Sequence, residues 1–187
     1  MKKNLIYIVG IVLFAVSCNS SDQKNEKVKY TDLWQIYMSI QIDTLTKANP
    51  SLIKTINQGE DVETLKMDSV NWGNELSGFL NIDFSKESVK NKYAINTDSA
   101  GKISMIGFFA KDTNAYIQSF EVTRIEGKID LLQWKTKTRS FLIDRDQVLA
   151  YQPGKGYRIQ INENSLWASP KNIEIFGDIQ NKAFLER

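Results

Sequence analysis

Histidine is absent from this 187-residue chain, and cysteine occurs once. The missing imidazole removes Ser-His-Asp and Cys-His catalysis, histidine metal sites and the usual neutral-pH proton shuttle. A lone Cys18 makes no internal disulfide framework and leaves no thiolate catalyst. An enzyme built from this chain would have to work with carboxylates, Lys, Tyr or Ser alone. Lys and Arg are not clustered, so the electrostatic footprint of a nucleic-acid binder is missing too. Only 3 prolines are present, beside 4 Trp, 7 Tyr and 9 Phe. That balance argues for a folded globule rather than a disordered stalk.

The N-terminus carries a sharper signal. Lys2-Lys3 precede an apolar run from Leu5 to Val16, and small residues lie just before Cys18. This is the positive, hydrophobic and cleavage-site layout of a secretory signal peptide. A membrane-spanning helix needs ~20 apolar residues, and this run has about a dozen before a polar stretch begins. The segment reads as removed rather than retained.

Ala15-Val16-Ser17-Cys18 resembles a lipobox. In that class of signals the cysteine thiol is acylated and the peptide is cut before it, which makes residues 1–17 the signal peptide. The resemblance implies a palmitate-type anchor on Cys18, with the lipid bilayer as its partner. Two or three acyl chains hold firmly where one anchors only marginally. Ala stands at the first lipobox place, where Leu is commoner. Residues 18–29 contain no apolar side chain after the cysteine except Val28, so they read as a lipidated tether. Asn19 differs from the Asp that resembles an inner-membrane retention signal, which favours the outer membrane. The domain would face the periplasm or the cell surface. Loss of Lys2 and Lys3 would leave Lys plus Arg equal to the 22 Asp plus Glu, a net charge near zero.

Residues 30–187 read as a single α+β domain. Over residues 31–49, Leu33, Ile36, Tyr37, Ile40 and Leu45 form one apolar row, and Trp34, Met38 and Ile42 a second. That periodicity predicts an amphipathic helix with a wide apolar face. Asn49-Pro50 predicts the start of a second helix ending at Gly59, with Leu52, Ile53 and Ile56 buried. A third helix is expected over residues 69–81, weakened by Gly73 and Gly78. Residues 60–68 carry no clear pattern.

Beyond Asp83 short alternating segments take over. Strands are expected over 93–97 and 102–109 around Asp98-Ser99-Ala100-Gly101, then over 116–122 and 129–137. Further strands are expected over 140–144, 147–152, 157–162 and 172–177. Arg145-Asp146 and Pro153-Gly154-Lys155-Gly156 are read as turns. The expected class is therefore α+β, with N-terminal helices packed on a C-terminal antiparallel meander of about seven to eight strands.

Val70-Asn71-Trp72-Gly73-Asn74-Glu75-Leu76-Ser77-Gly78-Phe79 resembles a segment of uncharacterised Bacteroidota lipoproteins, in which Asp-Trp precedes Glu-Leu and a Phe. Trp72, Glu75-Leu76, Phe79 and Tyr93 agree with that pattern. Asn71 replaces the Asp, and Asp83-Phe84-Ser85-Lys86-Glu87 departs from a Pro-containing stretch. Tyr151-Gln152-Pro153-Gly154-Lys155-Gly156-Tyr157 is similar to the group's later turn. The resemblance implies an extracytoplasmic lipoprotein and brings no activity with it.

Chemistry beyond the anchor is sparse. Asp144-Arg145-Asp146 is the best carboxylate pair, and its oxygens suit a hard cation. It reads more simply as a hairpin tip, and Glu60-Asp61 and Asn162-Glu163-Asn164 as solvated turns. Pro153-Gly154-Lys155-Gly156 is no phosphate loop, because Gly-Tyr leads into a strand where a P-loop needs Ser or Thr opening a helix. No catalytic, metal or cofactor residue is assigned. Trp134 and Tyr151 are taken as a candidate binding surface, on the expectation that they alternate out of the core. The leading expectation is a non-enzymatic binding or structural module of the envelope, with an envelope protein or hydrophobic ligand as partner. The alternatives are a carrier or chaperone of lipids and a histidine-free carboxylate hydrolase.

Overall fold

A computed structural model of the protein describes residues 30–80 and 91–180, with side chains from Trp34 onward. Cys18, the expected signal peptide and the tether up to residue 29 lie outside the described residues, as do residues 81–87 of the lipoprotein-like pattern.

A helix opens the described chain, α1 at Tyr30–Ala48. Strands β1 (Ser51–Gln58) and β2 (Asp61–Met67) follow. A four-residue helix, α2 (Trp72–Glu75), and a 3-10 turn at Ser77–Phe79 come next. Seven further strands complete the order: β3 (Tyr93–Ala100), β4 (Ile103–Ala110), β5 (Ile117–Ile125), β6 (Lys128–Arg139), β7 (Ile143–Gln152), β8 (Gly156–Ser165) and β9 (Ala168–Gln180). All pair in one antiparallel sheet ordered β2-β1-β9-β8-β7-β6-β5-β4-β3. The last seven strands form the expected meander. The N-terminal hairpin then closes onto its far edge, with Leu52 opposite Ile179 and Ile56 opposite Ile175.

The α+β class holds, but the sheet among the described residues has nine strands rather than seven to eight. The difference lies in residues 51–67: a second helix was expected up to Gly59, where β1 stands, and residues 60–68, which carry no clear pattern, hold β2. Asn49 has a positive φ of 44°. Its amide donates to the Leu45 carbonyl at 2.8 Å. This is the left-handed cap that ends a helix, so Asn49 closes α1 rather than opening a new one, and Pro50 prevents continuation. In β1, Leu52, Lys54 and Ile56 face the helices, while Ile53, Thr55 and Asn57 face away. The β-branched residues suit a pleated surface, and the hairpin with β2 satisfies their backbone groups.

The third expected helix is also shorter. Asn71 caps it, accepting the Asn74 amide at 3.0 Å. Leu76 then leaves helical geometry at φ −98°, ψ 10°. Gly73 and Gly78 fall inside this stretch, and their backbone freedom disfavours a longer continuous helix.

In the sheet, Phe108, Phe120, Trp134 and Leu149 lie side by side across β4 to β7, and Ile159 and Ile175 continue the row through β8 and β9. Each strand contributes alternate residues to this face, as the two-residue side-chain period requires. Helix α1 lies on it through Trp34, Met38 and Leu45, exposed by 3%, 0% and 2%. Thus the core stripe is the second of the two apolar rows, joined by Leu45 of the first. Ile36 and Ile40 of the first row point to solvent, each 55% exposed. No helix among the described residues is long and apolar enough to cross a membrane.

Candidate functional site

The aromatic centre of the core is built around Trp134. Its ring meets Trp34 edge-on at 4.9 Å and Phe79 at 5.0 Å between centroids. Phe120 stands 5.3 Å from Trp34 and 6.2 Å from Trp134. The Trp34 indole N–H donates to the Phe79 carbonyl at 3.3 Å, tying α1 to the 3-10 turn. Edge-to-face contacts of this kind add to the burial energy of the rings.

Trp134 and Tyr151, taken from the sequence as a binding surface, are both 0% exposed. They occupy inward positions, because Trp134 pairs with Phe120 and Leu149, and Tyr151 with Leu132 and Tyr157, all on the helix-bearing face. The Tyr151 hydroxyl donates to Gln41 Oε1 at 3.3 Å. Burial, reinforced by the neighbouring Tyr37, pushes its pKa well above the ordinary tyrosine value. Neither side chain offers a surface to a partner.

Beside this centre the helix and sheet do not close completely. Trp34 and Tyr37 of α1, with Ile106 and Phe108 of β4, Phe120, Val122 and Arg124 of β5, and Ile129 and Leu132 of β6, line a crevice open to solvent. Its cavity volume is about 60 Å³. The local register explains the lining. Val122 opposes Leu132 and Thr123 opposes Leu131, but Arg124 opposes Ile129, so Asp130 is an extra residue on β6. The resulting bulge turns Ile129 to the same face as Leu132. Arg124, two places beyond Val122, falls on that face as well.

Arg124 is the one charged residue of this lining. It is half-buried. Two acids of the β5–β6 hairpin are engaged elsewhere: Glu126 with Lys102, and Asp130 with Lys155 at 3.4 Å. The sequence carried a signal for this residue. Phe120 and Val122 set the inward parity of β5, and the next inward place holds arginine where an apolar residue would be expected. Trp34 and Tyr37 carried no such mark, being indistinguishable from ordinary core aromatics.

A second polar group sits under α2. Glu75 accepts from Lys54 Nζ at 2.8 Å, with side chains 13% and 23% exposed respectively. It also accepts the Tyr157 hydroxyl. Burial first, then the hydrogen bond and charge of Glu75, push the Tyr157 pKa far above its ordinary value. Tyr157 lies opposite Gly177, and a side chain at Gly177 would run into its ring. The glycine leaves room for the ring to lie flat on β9. This group fixes α2 to strands β1 and β8.

Two of the three acidic stretches singled out from the sequence as turns lie inside strands. Asp144-Arg145-Asp146 lies inside β7, because residues 143–152 form one continuous strand preceded by a turn at Phe141-Leu142. Arg139 Nη2 donates to both Asp146 oxygens at 2.8 and 2.9 Å, and Arg139 Nε stands 3.7 Å from Asp144. The Asp146 hydrogen bond, together with the nearby carboxylates, raises the arginine pKa. Glu163, expected in a turn, lies in β8 and accepts from Arg145 Nε at 2.7 Å. Glu60 does sit in a turn, before Asp61 opens β2. The stretch from Pro153 to Lys155 is the expected turn between β7 and β8. Among the described residues no group of three or more His, Cys, Asp or Glu side chains could hold a metal ion.

One apolar cluster is fully outside the core. Phe141 and Leu142, 85% and 44% exposed, meet Leu166 and Trp167, 54% and 80% exposed, at neighbouring turns. The Leu166 amide donates to the Leu142 carbonyl at 3.1 Å and holds the two turns together.

No protein-family model and no curated protein matches the chain.

Proposed function

We propose that this protein is a membrane-anchored extracytoplasmic lipoprotein and a non-enzymatic binding module, whose ligand sits in the crevice between α1 and strands β4 to β6. The anchor rests on the lipobox-like Ala15-Val16-Ser17-Cys18 and the polar tether behind it. The binding reading rests on one observation: an apolar crevice left open between a well-packed helix and sheet. Apolar surface left in water costs free energy, about 25 cal/mol per Å², and a ligand that covers it recovers that energy. Of the two binding roles, carrying a hydrophobic ligand is favoured over docking a protein, because the lining is a small, partly enclosed apolar hollow rather than a flat face.

The test is native mass spectrometry of protein extracted gently from its own membrane. An adduct of lipid mass, lost when Val122→Trp fills the crevice, supports the role. Clean protein from several gentle extractions counts against it. The anchor is tested separately: Cys18→Ala should abolish palmitate labelling and membrane association, and continued fractionation with membrane refutes it.

A further inference from the structure

We infer that the crevice selects a single-chain anionic amphiphile, a long-chain carboxylate whose head group is held by Arg124 and whose alkyl tail lies among Trp34, Phe108 and Phe120. This rests on the ligand-binding reading of the crevice and adds the chemistry of the ligand. Two features of the lining point the same way.

The first is charge. Arg124 is half-buried in an otherwise apolar lining, and its guanidinium has no hydrogen-bond or ion-pair partner among the described residues. Glu126 and Asp130 of the same hairpin are engaged with Lys102 and Lys155. Taking a guanidinium partly out of water without a counter-charge is unfavourable, and an incoming carboxylate removes that cost. The planar fork of Arg matches a carboxylate with two parallel hydrogen bonds. Arg124 also lies two residues from the Glu126-Gly127 turn, at the solvent end of β5. A head group there would stay near water while its tail ran inward along the strand.

The second is room. A cavity of about 60 Å³ takes roughly five water-sized volumes. That admits the first few methylenes of one slender alkyl chain, the remainder lying along the open side of the crevice, and excludes the paired chains of a membrane phospholipid. A neutral single-chain lipid would fill the space but leave Arg124 without its partner.

The test uses the full chain in phosphatidylcholine nanodiscs and two photoreactive probes, a diazirine-bearing palmitate and the corresponding fatty alcohol. Cross-linked peptides are mapped by mass spectrometry. The carboxylate should label α1 and strands β4 to β6. Arg124→Gln should cut that labelling at least tenfold, Arg124→Lys should restore part of it, and the alcohol should label no better than the carboxylate does on Arg124→Gln. Arg124 is not a core residue, so circular dichroism should show both variants folded. Equal labelling by the two probes, or carboxylate labelling unchanged in Arg124→Gln, overturns head-group recognition while leaving the crevice as an apolar site. Absence of crevice labelling by either probe overturns the ligand site itself.

Discussion

Replacing Trp134 by alanine should destabilise the protein by about 3–5 kcal/mol, the range for deleting a buried large aromatic. The site makes the upper half of that range the better expectation. The ring is 0% exposed and meets Trp34, Phe79 and Phe120 at 4.9, 5.0 and 6.2 Å. Such pairs are worth about 0.5–1.5 kcal/mol each beyond area burial, and they are not additive. Against a typical total of about 5–15 kcal/mol, the loss is large enough to shift a urea midpoint well outside error. Trp134→Phe should cost much less, about 1 kcal/mol, because the deleted indole N–H has no acceptor in the core and its removal offsets part of the lost packing. Trp167→Ala is the matched control at 80% exposure, and it should stay within about 0.5 kcal/mol. Urea unfolding followed by circular dichroism gives all three numbers. A loss below about 1 kcal/mol for Trp134→Ala, or one equal to that of Trp167→Ala, would refute the placement of Trp134 at the centre of the helix–sheet core.

Three further outcomes follow from the polar groups. Tyr151 and Tyr157 are buried neutral, with pKa values raised from the ordinary 10.0. Their contribution is complete below pH ~10 and is lost as pH rises toward the folded values, at about 1.4 kcal/mol per pH unit for each tyrosine. Alkaline unfolding monitored by tyrosine absorbance should become shallower in Tyr151→Phe. Glu75→Gln should cost about 2 kcal/mol, less than a fully buried pair because Lys54 keeps some solvent, and should bring the Tyr157 pKa down. An unchanged Tyr157 titration would count against their contact. Gly177→Ala should destabilise by about 1–3 kcal/mol through displacement of the Tyr157 ring, and Tyr157→Ala should abolish most of that penalty in a double-mutant cycle.

The meander was legible because its strands alternate: Phe120 and Val122 face in while Glu121 and Thr123 face out. The first helix was legible too, although its two apolar rows competed and packing chose Trp34-Met38 over Ile36-Ile40. Residues 51–58 resemble a helix in sequence because Asn-Pro serves equally well after a helix as before one. Asn49 turned out to be the left-handed stop. The short segment Leu52-Ile53-Lys54-Thr55-Ile56 fits either period, and only its pairing with β9 decides. Asp144 and Asp146 looked like a tip because local sequence does not show that Arg139 and Glu163, on the two neighbouring strands, are available to Asp146 and Arg145. Trp134 and Tyr151 failed as surface residues for a related reason. Which face of a strand is buried depends on where the helix lands. The crevice, made by three strands, a bulge and a helix, has no counterpart in any one stretch of sequence.

Contact quenching by a brominated single-chain carboxylate tests the ligand site most directly. Trp34 lines the crevice, whereas the exposed Trp167 stands at the Phe141-Leu142-Leu166 cluster. Saturable quenching that largely disappears in Trp34→Phe and persists in Trp167→Phe places the alkyl chain beside α1. Quenching that survives Trp34→Phe and vanishes in Trp167→Phe would contradict it and move the apolar contact to the exposed turns.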